Sequence, residues 1–574
     1  MATTAAPAGA PAAPRVRRSP LWWPAVAVTA AAAVVHTLLT RGLSGDLRYV
    51  LGALRLGGDA GYSPSEVFTH RPFFYRWFVA LLDLPTAGGT AVRETVIGVE
   101  GALVAAAAAL ALYAALLRRV TAREAAVTAR EAAVTAREAA VTAGATGLAL
   151  VLAPRTDFLQ PEWAAVLLAV LGVAAALGVR RPWPAALLAA LPLGLAVMMK
   201  YSTASTAAFA VLLVWLADRG RALRVALAVV PSAAVLFGLS VLLGSHEWQW
   251  TEDMPRINQS ALGRTGPRPG EILAHSVSFL ADRALLSPVL LLLPGALLLL
   301  ARTRGRARRL ELLAVAALVG AGSLAVVIVQ GNWFPYHAVQ LTVAAATAWG
   351  LAVGGTTGPP PWRFGAVSLA CGALPVLYPH APGGLQRPAT VWALGLLALL
   401  AAAADVRRRR RPAPVRTAAL VTLAGVVCLA GPVWPGSPHL VQHGRVTATN
   451  AAFLRDTARE EAEAARLRAR IPAGAPVLYL AFGDTAYHVD RPARCRYPIA
   501  TFLQRSRFLP DVAGLPSFAE NADCVDHDPA PYAILDRAWF RLAHVDPGLR
   551  ARVRATYACP PPSKDTPTVV CTRR

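Results

Sequence analysis

The sequence predicts an α-helical polytopic membrane protein, of about 11–13 transmembrane helices, followed by a C-terminal extracytoplasmic α/β domain. Three observations predict it. Apolar runs of roughly 17–25 residues recur between residues 21 and 433; 55% of the 574 residues are hydrophobic, only 16% are charged, and mean hydropathy is +0.45. Basic residues gather in short segments between alternate runs, as cytoplasmic loops require. From Trp434 onward the composition becomes that of a water-soluble chain. A formal charge of +24 would suit nucleic acid, but no zinc-finger, basic-zipper or RNP-like motif accompanies it. No nucleic-acid partner is expected.

Residues 1–20 are low in complexity and read as a disordered cytoplasmic N-terminus ending in Arg15, Arg17 and Arg18. The first span, Leu21 to Leu39, is long for a secretory signal core and reads as a retained anchor. An outer loop, 42–94, follows, with acids, bases and aromatics mixed. Leu43, Leu47, Val50, Leu51 and Leu54 recur at helical spacing, which predicts a short amphipathic helix along the membrane surface. Ser44 is its N-cap and Asp46 lies on its first turn, either as a working carboxylate or as a complement to the helix dipole. His70 and Arg71 follow, either as an anion-binding pair or as snorkelling interface residues. The aromatic run Phe73 to Leu84 is too short to cross and belongs at the interface.

Span two, Thr95 to Leu117, returns inward to Arg118 and Arg119. A cytoplasmic TAREAAV repeat, 121–141, comes next. Its period is seven, but each unit offers one Val as its only larger apolar residue, so it reads as a tandem duplication rather than a coiled coil. The second outer loop, 154–162, carries Arg155, Asp157 and Glu162. Span five ends outside at Lys200, before a very tight turn. The longest internal outer loop is 245–287, and a fourth, 331–337, places Tyr336 and His337 at the outer rim. Arginine runs at Arg302 to Arg309 and Arg407 to Arg411 mark the inside.

In the tail, 434–574, the stretch Arg455 to Arg470 reads as a helix, and VLYLAF (Val477 to Phe482) and YAIL (Tyr532 to Leu535) read as buried strands. Cys495, Cys524, Cys559 and Cys571 lack the CxxC spacing of a zinc site and read as disulfides of unassigned pairing. Cys371 and Cys428 fall in spans and read as core.

The arrangement resembles GT-C-type integral membrane glycosyltransferases, the polyprenyl-phosphate-dependent group that includes protein mannosyltransferases and bacterial relatives. Four features carry the likeness: Asp46 soon after span one, the acidic loop TDFLQPEW, Lys200 closing GLAVMMKYST, and the outer α/β tail with AYHVDRPARCRYP before FL. The Ala- and Arg-rich composition suits an actinobacterial source. One departure is a single SGD where the family has a paired acidic motif, which leaves Asp59 or Glu66 as partners for Asp46.

The resemblance implies an inverting transfer from a polyprenyl-phosphate-sugar donor to a hydroxyl of an envelope acceptor (glycan, lipid or protein) at the cytoplasmic membrane. It implies Asp46 as base, with Asp157 or Glu162 orienting. His70, Arg71, Lys200 and Arg155 would hold the donor phosphate, and Tyr336 and His337 would line the sugar pocket. No metal ligands are assigned; a divalent cation, Mg or Mn, is left open. Competing readings are a transporter or flippase of lipid-linked sugars, which would call for inverted repeats and polar groups at the midplane, and a non-catalytic membrane scaffold.

Overall fold

A computed structural model describes residues 22–574 apart from 87–89, 122–128, 262–268, 303, 332, 356–359, 408–414, 507–513, 527–529 and 562–566. The N-terminal stretch read as disordered, residues 122–128 at the start of the TAREAAV repeat and most of the Arg407 run therefore lie outside the described residues. The first half of the membrane part comprises α1 (Trp22–Thr40), α2 (Gly45–Asp59), α3 (Phe73–Asp83), α4 (Thr90–Thr121), α5 (Ala129–Val151), α6 (Pro161–Gly178), α7 (Pro182–Met199), α8 (Ala204–Ala217) and α9 (Arg219–Leu243). It continues with α10 (Glu247–Ala261), α11 (Pro269–Leu286), α12 (Leu293–Arg302), α13 (Arg306–Gln330), α14 (Val339–Gly354), α15 (Trp362–Leu377), α16 (Pro388–Arg407) and α17 (Val415–Ala430).

Among the described residues, seven helices are long and apolar enough to cross a membrane: α1, α4, α6, α7, α9, α13 and α16. Taken together, α11 and α12 make an eighth, bent by 113°. Two shorter apolar segments, Tyr201–Ala217 and Thr417–Val433, add to these. Length separates this tally from the alternation of arginine clusters. For example, α8 loses its first turn to a 3₁₀ segment after Lys200.

Residues 245–287, expected as a loop, instead form α10 and α11 over most of their length. The chain turns sharply at Ser287–Pro288, where Ser287 leaves helical geometry (φ −146°) and proline offers no N–H. The aromatic run Phe73 to Leu84, read as too short to cross, forms the 11-residue helix α3.

The amphipathic helix is also present, capped by Ser44, whose Oγ accepts from the Leu47 amide at 3.4 Å. Its setting differs from the expected membrane surface. Leu47 through Leu54 are buried without interruption, because the C-terminal domain covers the face that would have been solvated. Gly52 and Gly483 permit that contact: a Cβ on Gly52 would lie 3.0 Å from the Tyr487 backbone, and one on Gly483 would lie 2.4 Å from Tyr49.

The C-terminal domain starts with a hairpin, β1 (Pro438–Gln442) and β2 (Arg445–Thr449). His443 and Gly444 both have positive φ at its turn (51° and 76°), as a two-residue hairpin of this hand requires. Asp282 of α11 accepts from both of their amides, at 3.0 and 2.6 Å, and so pins the turn to the bundle. Next come α18 (Asn450–Arg468), β3 (Val477–Leu480), α19 (Gly483–Val489), α20 (Thr501–Arg505), α21 (Pro516–Asp526), β4 (Tyr532–Asp536), α22 (Pro547–Thr556), β5 (Tyr557–Ala558) and β6 (Thr568–Arg573).

The sheet order is β3-β4-β6-β5, with β3 and β4 parallel and the other pairs antiparallel. The two strands read from VLYLAF and YAIL are the parallel pair β3 and β4, with β3 at the end of the sheet order, and the expected helix is α18. The four tail cysteines pair as Cys495–Cys524 and Cys559–Cys571, while Cys371 and Cys428 are buried and free. One apolar core runs from the bundle into this domain, joining Leu47 and Val50 of α2 to Tyr479, Ala486 and Ile534.

Candidate active site

The site begins with the cap of α2. Ser44 starts the helix and sets Asp46 on its first turn, one-third exposed, with Arg71 Nη2 3.6 Å from Asp46 Oδ2. Arg71 is held by the loop that carries it. The buried Arg76 donates to the carbonyls of Pro64 (2.8 Å), Ser65 (3.2 Å) and Arg71 (2.7 Å), and pairs with Glu247 of α10 at 2.8 Å. A planar guanidinium with five fixed donors suits such a hub. His70, at φ 48°, presents its ring edge-on to Tyr49 at 4.5 Å. Arg71 Nε is buried with no hydrogen-bond partner.

The second loop is fastened to the first by two side chains. Tyr75 donates to the carbonyl of Leu159 at 2.8 Å, at a position where Leu159 takes a positive φ of 61°. Gln160 Nε2 donates to Ser44 Oγ at 3.0 Å. Pro161 then opens α6, and Glu162 on its first turn is nearly wholly buried. Its Oε1 meets Lys200 Nζ at 2.6 Å and His337 Nδ1 at 2.7 Å, and these two lie 3.2 Å apart. Lys200 Nζ stands 5.9 Å from the centre of the Tyr336 ring, and Arg71 acts electrostatically on the same tyrosine. Asp46, Glu162, His70, Arg71, Lys200, Tyr336 and His337 thus form one cluster. Arg505, from α20 of the soluble domain, adds its charge beside Asp46 and Arg71. Among the described residues, Arg71, Lys200 and Arg505 are the cations near Asp46 and Glu162.

Two expected members stand apart. Asp157 is fully buried and paired with Arg283 of α11 at 2.5 Å. Arg283 also donates to Thr342 Oγ1 (3.0 and 2.6 Å) and to the carbonyl of Pro335 (3.3 Å). With no exposed surface, Asp157 fastens α11 behind the cluster and does not line it. Arg155 donates to the Thr40 carbonyl and lies 5.2 Å from the Phe453 ring, outside the cluster. Of the partners considered for Asp46, Glu66 is bound to the Ser63 amide and hydroxyl at 3.0 and 2.8 Å, and Asp59 is exposed at the end of α2.

Burial and the charge of Arg71 push the His70 imidazole well below its ordinary range. The neutral ring is thereby favoured, and its Nδ1 is buried with no hydrogen-bond partner. Burial also lowers the Lys200 ammonium, against the opposing pull of Glu162. Burial pulls His439 and His488 of the soluble domain down to about 4. A depressed folded-state pKa means that the unfolded chain binds more protons between about 4 and 6.5, so stability falls as pH drops through that window. We expect the thermal midpoint in detergent to be level above pH 7 and to decline from pH 6.5 to 4; a profile without that acid limb would contradict the buried neutral rings. Among the described residues, no group of three or more His, Cys, Asp or Glu side chains is placed to hold a metal ion.

A bundle of membrane helices, with its site under a soluble C-terminal domain, defines a GT-C-like polytopic fold. The chain is similar to the crystal structures of ArnT from Cupriavidus metallidurans. The match to the apo state has TM-score 0.50 and 15% identity, covering 96% of this chain and 97% of that one. The match to the state bound to undecaprenyl phosphate has TM-score 0.50 and 16% identity, covering 96% and 98%. It is also similar to the arabinosyltransferase EmbB from Mycobacterium smegmatis, at TM-score 0.40 and 18% identity over 77% of this chain and 42% of that one. No protein-family model and no curated protein matches the sequence.

Proposed function

We propose that this chain is an inverting GT-C-type glycosyltransferase. It would move a hexosyl or pentosyl unit from a polyprenyl-phosphate carrier to a hydroxyl of a cell-envelope acceptor. The observation that carries the reading is the gathering of Asp46, Arg71, Glu162, Lys200, Tyr336 and His337 from four separate parts of the chain into one charged cluster. The fold shared with ArnT, which binds undecaprenyl phosphate, supports a polyprenyl-phosphate donor. The N-terminus is then cytoplasmic, and the cluster and the C-terminal domain face outward, in keeping with the arginine clusters.

Asp46 takes the proton of the acceptor hydroxyl while that oxygen bonds to the anomeric carbon. The bond from the anomeric carbon to the phosphate oxygen breaks, and its electron pair leaves with the lipid phosphate. Arg71 and Lys200 hold the charge that develops there. Glu162 and His337 fix Lys200 in place and keep its burial compensated.

The test uses the purified full-length chain in nanodiscs with a synthetic polyprenyl-phosphate donor labelled in its sugar. Transfer to an envelope extract supports the proposal. Donor that crosses the bilayer with its sugar still attached would instead favour the transporter, whose strongest feature here is the bent pair α11–α12. Arg71→Ala should lower the turnover rate by about 10²- to 10³-fold, the usual cost of losing one fixed donor to developing charge. Unchanged turnover would remove Arg71 from the phosphate site.

A further inference from the structure

His70 has no part in the transfer steps above, yet the fold holds it in a strained conformation. Its φ of 48° lies in the left-handed region, which residues with a Cβ rarely adopt. Both flanks are fixed. The Phe68 amide donates to the Arg496 carbonyl at 2.9 Å, Arg76 donates to the Arg71 carbonyl at 2.7 Å, and the Phe73 amide donates to Glu247 at 2.9 Å. Thr69 and His70 span the gap between these ties, and His70 takes the turn. Strain held in this way by its surroundings gathers at functional sites, where it aims a side chain.

The ring can be reached. His70 is half-buried: its Nδ1 is enclosed without a partner, whereas Nε2 is not enclosed and makes no hydrogen bond among the described residues. The ring stands edge-on to Tyr49 at 4.5 Å, and Tyr49 follows Asp46 by one turn on the same side of α2. The next residue along the chain, Arg71, pairs with Asp46 at 3.6 Å. Lys200 at the end of α7 and Arg505 of α20 also act on the ring.

Beside three cations a buried imidazole stays neutral, so it adds no charge to hold a phosphate. Its open nitrogen donates in one tautomer and accepts in the other. A hydroxyl answers both; a phosphate oxygen answers only the first. In an inverting displacement the acceptor oxygen, the anomeric carbon and the leaving oxygen stand in line. With Asp46 at one end and Arg71 and Lys200 at the other, a side chain beside both ends faces the sugar between them.

We infer that His70 is a specificity-determining residue whose Nε2 hydrogen-bonds one hydroxyl of the sugar being transferred. It reads the sugar of the donor and not its phosphate. The inference deepens the glycosyl-transfer reading and rests on it for the place of the sugar.

The test is equilibrium binding to the full-length chain in nanodiscs. The ligands are synthetic polyprenyl phosphates carrying arabinose, mannose or glucose, the monodeoxy analogues of the tightest of these, and the sugar-free polyprenyl phosphate. In the parent, one monodeoxy analogue should bind at least about tenfold more weakly than its hydroxylated form, the loss of a hydrogen-bonded contact worth about 1.4 kcal/mol. His70→Phe, which keeps a ring against Tyr49, should bind both forms alike and hold the sugar-free carrier as the parent does. His70→Gln, which restores a polar group, should regain part of the preference, and His70→Leu replaces the phenylalanine variant if that one melts early. A merely structural role would weaken every ligand together and leave the preference in place. No preference for any hydroxyl in the parent, a preference unchanged in His70→Phe, or a loss of the sugar-free carrier in that variant would overturn the inference. A preference that depends on His70 in a chain that never transfers sugar would sink the catalytic reading and leave this one standing.

Discussion

Asp46→Asn is expected to lower sugar transfer by about 10²- to 10⁴-fold, the range lost when a positioned general base is removed. The amide keeps the size of the carboxylate and can still accept a hydrogen bond from Arg71, so the loop should hold its shape. What it cannot do is take a proton from the acceptor hydroxyl. Initial rates with the labelled polyprenyl donor, alongside the thermal midpoint, separate the two effects. A normal midpoint with a collapsed rate assigns the base. A rate near that of the parent would mean that another group removes the proton, and Glu162 is poorly placed for this because Lys200 and His337 already occupy one of its oxygens.

Arg283→Met should be the most damaging single change for stability, at about 3–5 kcal/mol, because it strands the Asp157 charge in a fully buried position. Its contacts with Thr342 and the Pro335 carbonyl are lost as well. The double change Arg283→Met with Asp157→Leu should recover much of the loss, since removing both charges avoids burying either one alone. Thermal unfolding of the purified variants reads this directly. If the single variant melts with the parent, the pair does not fasten α11.

These two expectations differ in how far the sequence foretold them. Asp46, Glu162, Lys200 and His337 each sit where an apolar run meets a polar stretch, and such edges can be found by periodicity alone. Tyr336 and Arg71 were legible for the same reason. Arg283 was not, because the run that contains it was read as part of a loop; the helix was hidden by its closeness to the Pro288 break. Arg505 gave no local signal at all, since its role depends on how α20 docks, through the Thr501–Tyr49 hydroxyl contact at 2.7 Å. Asp157 shows the opposite error. It lies in the right loop, but spacing cannot report that its carboxylate turns toward α11. Both buried strands and the tail helix were legible from composition and period, whereas the covering of α2 was not. Its sequence has one clearly apolar face, and only the two glycine contacts reveal that the other face is covered too.

That covering sets an order of assembly. The helix bearing the proposed base is enclosed from one side by segments made early and from the other by residues beyond 480, which are made long after it. The membrane half alone would present Arg48 without Thr457 and Tyr49 without Thr501. Docking of the tail therefore completes the enclosure of α2, and the helix face that carries Arg48 and Tyr49 lacks these partners until then.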